Sequence, residues 1–294
     1  MKSSVFKGSI LIAFGASCYG MLGTFVKLAY LDGFSTAEVT ISQFATGFVI
    51  LFVLSFFGKR KKGPERNSSD IRSIFRLVIA GSSLGLTSIF YYMAVQYISV
   101  GVAIVLLMQT VWMGVVLEMF LQKKAPVTRK IVAVFIILSG TVLATRLLSD
   151  SVSINWYGIG WGMLAAVTYT ATMYTSNNLE LHFPPLKRSL FMILGGLIII
   201  LLIFHASLNP GFSMKIFASW GLLVSLFGTV LPPLLFTRGM PLTGIGLGAI
   251  IASIEIPVAL LTASILLKEP VSLSQWIGVV FILFAMAFMK IGAN

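Results

Sequence analysis

The chain has 294 residues, of which 57% are hydrophobic and only 10% charged, with a mean hydropathy of +0.99 and a formal net charge of +12. An ordinary soluble domain carries about 25% charged residues, so there is too little charge here to cover a water-facing globule, and the surface must face lipid. The basic residues sit in short clusters between long apolar runs rather than along one stripe, which argues against a nucleic-acid-binding face and makes the clusters topology signals.

Lys2 and Lys7 precede the first apolar run, and Gly15-Ala16-Ser17-Cys18 faintly resembles a lipoprotein cleavage box. The run continues to Val26. That is about the 20 residues needed to span a bilayer and longer than a signal-peptide core, so it reads as an uncleaved first helix. Dividing the rest where charge, Pro, Gly and Asn accumulate predicts helices 1 to 5 at 7–27, 36–57, 73–96, 101–121 and 130–148. Helices 6 to 10 follow at 156–177, 187–205, 216–238, 244–267 and 273–291. The runs are continuous rather than alternating with period two, which selects helices over a barrel. The longest hydrophilic stretch, Gly58 to Arg72, has no room for a soluble domain.

With the N-terminus inside, 17 of the 21 Lys and Arg fall on the cytoplasmic side and only Lys27, Arg146, Lys215 and Lys268 on the other. The asymmetry predicts that both termini are cytoplasmic. The Lys59 to Lys62 cluster enforces that orientation and is a candidate contact for anionic lipid.

The chain also matches itself. A shift of 150 residues sets Gly8 on Gly158, Ala16 on Ala166 and Tyr19 on Tyr169. A shift of 144 sets Ser99 on Thr243, Lys124 on Lys268, Pro126 on Pro270, Val127 on Val271 and Thr128 on Ser272. Helix 1 thus mirrors helix 6, and helix 4 mirrors helix 9. Five helices per repeat is an odd number, so the second half crosses the membrane in the opposite sense. The predicted fold is all-α integral membrane: ten helices as two inverted repeats, 1–148 and 149–294, the plan of alternating-access transporters.

Glu255-Ile256-Pro257-Val258, continuing through Leu267-Lys268-Glu269-Pro270 to Gln275-Trp276-Ile277-Gly278, resembles the drug/metabolite transporter superfamily, EamA type, as does the opening stretch from Lys7-Gly8 through Tyr19-Gly20 to Lys27. The chain departs from that pattern where Tyr19 replaces a common Trp, Gln43-Phe44 a frequent Arg-Phe, and Met113 stands at the position equivalent to Pro257. The resemblance implies a ten-helix secondary transporter of small metabolites, often an exporter, with no ATPase and no cofactor, and with helices 5 and 10 peripheral.

Glu255 falls near the middle of helix 9, where an ionised side chain costs on the order of 2.5 to 3.5 kcal/mol. It is a candidate substrate counter-ion or proton-coupling group, or else a structural hydrogen bond between helices. Pro257 favours a kink beside it, and Pro232 and Pro233 are expected to bend helix 8 as a gate hinge or a static kink. The Met240-Pro241-Leu242-Thr243 segment reads as a short link between helices 8 and 9. Gln109, Thr110 and Trp112 sit at the centre of helix 4, the pseudo-symmetric counterpart of the Glu255 region, and are candidate cavity lining. Tyr19 and Tyr169 lie at mid-helix rather than in the interfacial belt, and a buried Tyr hydroxyl needs a polar partner or a wet cavity. Glycine pairs Gly81/Gly85, Gly158/Gly162 and Gly244/Gly248 predict close helix packing. Glu118, Lys27, Arg146 and His205 fall near helix ends, within reach of headgroups or water.

A single cysteine, Cys18, excludes an intrachain disulfide, and two histidines give no zinc-type ligand set, so no metal site is predicted. The expected function is secondary transport of an amino acid or similar small metabolite out of the cell across the inner (plasma) membrane, with membrane lipid as surroundings and no nucleic-acid partner. A channel-forming or structural subunit is the alternative. A membrane-embedded enzyme is disfavoured because no HExxH, GxSG or P-loop string occurs.

Overall fold

A computed structural model describes residues 2–57, 71–98, 100–144, 155–208, 211–268 and 271–291. The Lys59 to Lys62 cluster with most of its loop, Ser99, Arg146, the 148/149 repeat boundary and Glu269-Pro270 lie outside the described residues. In the first half the helices are α1 (Lys2–Leu31), α2 (Thr36–Phe57), α3 (Ile71–Tyr97), α4 (Val100–Leu107), α5 (Thr110–Gln122) and α6 (Thr128–Ala144). In the second half they are α7 (Trp156–Asn178), α8 (Pro185–Ile203), α9 (Leu222–Ser225), α10 (Leu231–Thr243), α11 (Ile245–Ala252), α12 (Glu255–Leu266) and α13 (Leu273–Ile291).

Among the described residues, seven helical runs are long and apolar enough to cross a membrane: those from Ser4, Thr36, Ile71, Val102, Pro185, Phe217 and Ile245. The helices α6, α7 and α13 fall outside that set. The reason differs: α6 has 17 residues, whereas α7 has 23 but carries Thr168, Thr170 and Thr172, hydroxyls that bond other helices, and Thr175.

The packing has a two-fold pattern. α1 lies on α10 as α7 lies on α3; α1 meets α12 as α7 meets α4 and α5; and α3 packs on α8 as α2 packs on α9 and the π-helical turn after it. The pairs α2 with α8 and α6 with α13 map onto themselves under the same exchange. Small residues make these contacts close. A Cβ on Gly81 would overlap the Met192 carbonyl, and one on Gly158 would meet Ile98. Gly244 behaves otherwise than the spacing of glycines suggests. At φ +81° it is the turn between α10 and α11, not one of a helix-packing pair.

Proline chemistry shapes three places. Pro232 and Pro233 cannot donate to the carbonyls of Gly228 and Thr229, and the chain responds with a π-helical turn, Leu226–Val230, in which the Leu231 N–H reaches back to Leu226. A second π turn, Phe217–Gly221, precedes it. Pro257 cannot donate to Ser253, whose carbonyl instead accepts the Ile256 N–H at 3.1 Å, and the helix is interrupted at Ser253-Ile254 between α11 and α12. Pro241 lies inside α10, which runs on to Thr243, so the expected link at 240–243 is helical. Its missing N–H leaves the Thr237 carbonyl to another donor, Arg188.

Candidate functional site

The interruption of α11/α12 has a counterpart in α4/α5 at Met108-Gln109. There the Gln109 N–H bonds the Leu106 carbonyl at 3.0 Å and the Val111 N–H bonds Met108 at 3.0 Å, the same tightening that joins Ser253 to Ile250 and Ile254 to Ile251. No proline is needed for it: Met113, at the position equivalent to Pro257, donates normally to Gln109 at 3.2 Å. Each break brings the first residue of the new helix to a side chain of α7. Thr110, the first residue of α5, shares a 2.8 Å hydroxyl bond with Thr170, and Glu255, the first residue of α12, accepts from the Tyr169 hydroxyl at 3.4 Å.

Glu255 opens into the main cavity, about 510 Å³, bordered by α1, α3, α4, α7 and α12. This lies in the range of small-molecule pockets. Four tyrosines, Tyr19, Tyr91, Tyr92 and Tyr169, line the same cavity, with Tyr19 edge-on to Tyr169 at 6.0 Å and to Phe236 at 5.8 Å. α1 comes close enough for this because it has Gly20 against the Glu255 carbonyl, where a Cβ would stand at 2.5 Å. The lining is mainly apolar and aromatic. Its hydroxyls belong partly to interhelical bonds: Thr24 with Thr262 at 3.2 Å ties α1 to α12, and Thr87 with Thr168 at 3.0 Å ties α3 to α7. At the floor, the Tyr92 hydroxyl donates to Gln43 Oε1 at 3.2 Å, and Thr229 donates to the Gln43 carbonyl at 2.9 Å beside the π turn. Lys27 and Gln275 also line the cavity. Among the described residues no group of three or more His, Cys, Asp or Glu is arranged to hold a metal.

Of the residues singled out from the sequence, Glu255, Tyr19 and Tyr169 converge on this cavity. Gln109, Thr110 and Trp112 do not line it. Thr110 is buried in its bond to Thr170, while the Trp112 indole donates to Gln109 Oε1 at 2.8 Å on a half-exposed surface. Pro257, Pro232 and Pro233 are buried and act through the backbone rather than by contact with the cavity. Glu118 is buried in an ion pair with Lys130 instead of reaching headgroups, and Lys27, read as a helix-end residue, borders the cavity. Sequence reasoning missed Tyr91 and Tyr92, and singled out Gln43 only as a departure from the family pattern. The pair Tyr91-Tyr92 near the end of a long apolar run was a visible signal, but its orientation was not.

Two packed repeats of apolar helices around a carboxylate-bearing cavity define a membrane transporter. The family model of the EamA-like transporter family matches residues 6–146 and 156–291, and the chain belongs to that family. It is a multi-pass membrane protein of a family that carries small molecules and is not enzymatic. A crystal structure of a protein is similar in fold, with a TM-score of 0.78 and 13% identity over 96% of this chain and 97% of its own. It is one of 27 solved chains that match. No curated protein matches the chain.

Proposed function

We propose that this protein is a secondary transporter that exports a small amino-acid-like metabolite by alternating access, with Glu255 receiving the substrate's cationic group or the coupling proton. It has ten spanning helices in two inverted repeats, 1–148 and 149–294, with both termini cytoplasmic, in the plasma (inner) membrane. The observation that carries this reading is Glu255 itself: among the described residues it is the only carboxylate lining a cavity that both halves build, and it stands at the interruption of α11/α12. A charge costs several kcal/mol at such depth unless something uses or pairs it, and its one hydrogen bond, to Tyr169, is long. Tyrosine rings lining the same cavity as an acid form a setting that attracts ammonium groups. Further support comes from the exchange pattern of helix contacts, which an inverted repeat would produce.

Purified protein in proteoliposomes, loaded with pooled metabolites and given an imposed pH gradient, tests the proposal. Saturable, gradient-sensitive movement of amines or amino acids is expected, with the amine preferred over the carboxylate lacking it. Rapid non-saturating flux would establish a channel instead. Impermeant thiol labelling of cysteines introduced at 58–72, in a Cys18→Ala background, should succeed only after the membrane is opened; labelling from outside intact cells would reverse the assigned orientation.

A further inference from the structure

Among the described residues, no acid pairs with the buried Arg188. Only 1% exposed, at the first turn of α8, it donates to four carbonyls: Leu179 at 3.0 Å, Thr237 at 2.9 Å, Thr175 at 3.2 Å and Ser176 at 2.7 Å. Local structure explains those acceptors. Thr175 and Ser176 lie in the last turn of α7, where the Thr175 carbonyl also accepts the Leu179 N–H at 3.0 Å, and Thr237 is the carbonyl that Pro241 cannot serve. Carbonyls carry partial charge, so the full charge of the guanidinium is left without a counter-ion.

Beside it lies a second cavity of about 320 Å³, between α1, α10 and the segment leading into α8. Lys7 and Arg238 border it together with Arg188, so three cations from three helices face one space. Among the described residues no carboxylate lines it. Glu180, the nearest acid in sequence, is turned to Arg76 at 3.3 Å and His182 at 3.4 Å. The first turn of α8, with its uncapped N–H groups, adds positive potential at the same edge. Leu11, Phe183 and Leu242 supply an apolar wall. A topology signal requires basic residues on one side of the membrane; it does not require a buried guanidinium lining a concavity.

We propose that this cavity is a binding site for a phosphate-bearing anion, held by Lys7 and Arg238 in the field of Arg188. A lipid headgroup and a soluble phosphate share that chemistry. The apolar wall favours the headgroup of an anionic lipid, whose phosphate would sit between the cations while its chains follow the surface of α1 and α10. Bound there it would bridge α1 to α10, two helices whose backbones meet where Gly8 faces Gly239 and Leu242. The site does not depend on the substrate or direction of transport proposed above.

Thermal unfolding of the full chain in neutral detergent, titrated with phosphatidylglycerol, phosphatidylcholine or inorganic phosphate, tests it. Phosphatidylglycerol should raise the midpoint saturably, on the order of a few degrees, and phosphatidylcholine should not. In the double variant Lys7→Gln/Arg238→Gln that rise should vanish, while the charge-matched Lys123→Gln/Lys124→Gln, at exposed positions outside this cavity, should keep it. The same variant-sensitive rise with inorganic phosphate alone would also support the site and assign it to a soluble anion. An equal rise in Lys7→Gln/Arg238→Gln and the parent, or no rise with either ligand, would overturn it. The unfolding midpoint without ligand shows independently that the double variant is folded.

Discussion

The two interrupted helices, α4/α5 and α11/α12, share a backbone and differ in what they carry. Both tighten to three-residue hydrogen bonds for one turn, and both deliver the first residue of the continuing helix to α7. In the first half that residue is Thr110, whose hydroxyl is fully matched by Thr170. In the second it is Glu255, whose carboxylate has one long bond and an open cavity before it. Duplicated architecture thus need not duplicate chemistry: the breaks set depth and direction, and the side chain decides which of the two becomes a site.

The sharpest way to break this comparison is Glu255→Gln. It keeps the shape and removes the ionisable group, so transport should fall by roughly ten- to a hundredfold, from the loss of a charged contact of about 1.5 to 3 kcal/mol. Expression and insertion should be intact, and the pH dependence of the remaining flux should flatten. Unchanged rate and pH profile would reduce Glu255 to the structural equal of Thr110.

Tyr169→Phe comes next. It deletes only the hydroxyl that reaches Glu255, so a loss of roughly threefold to tenfold in apparent substrate affinity is expected, from about 0.5 to 1.5 kcal/mol. An effect as large as that of Glu255→Gln would shift the principal role to the tyrosine.

A smaller effect is expected of Pro257→Ala. Since α4/α5 breaks with Met113 at the corresponding place, packing can hold such an interruption without a proline. Spin-label distances across residues 249 and 260 should be unchanged, with transport within about threefold and stability within about 1 kcal/mol. A lengthened, regular helix would show that the two breaks have different causes.

Least affected should be Gln109→Ala and Trp112→Phe. Their mutual bond is on a half-exposed face away from the cavity, and transport should stay within about twofold, with stability down by about 0.5 to 1 kcal/mol. Loss of transport in either would restore helix 4 as part of the substrate path.

Hydropathy and local chemistry determined much of this protein before any packing was known. Long apolar runs with almost no charge require lipid-facing helices, and a lone acid inside one of them, Glu255, is expensive enough to mark itself. Prolines announced irregular backbone at 232–233 and 257, because a missing N–H has local consequences. Tertiary structure alone decided direction. An apolar run looks the same on every side, so nothing in the sequence turned Tyr91 and Tyr92 toward the cavity or Trp112 away from it; the neighbours packed against α3 and α5 did. Arg188 shows the same limit. Counted along the chain it is one more topology charge, and only folding brings it the end of α7 and the carbonyl that Pro241 leaves open.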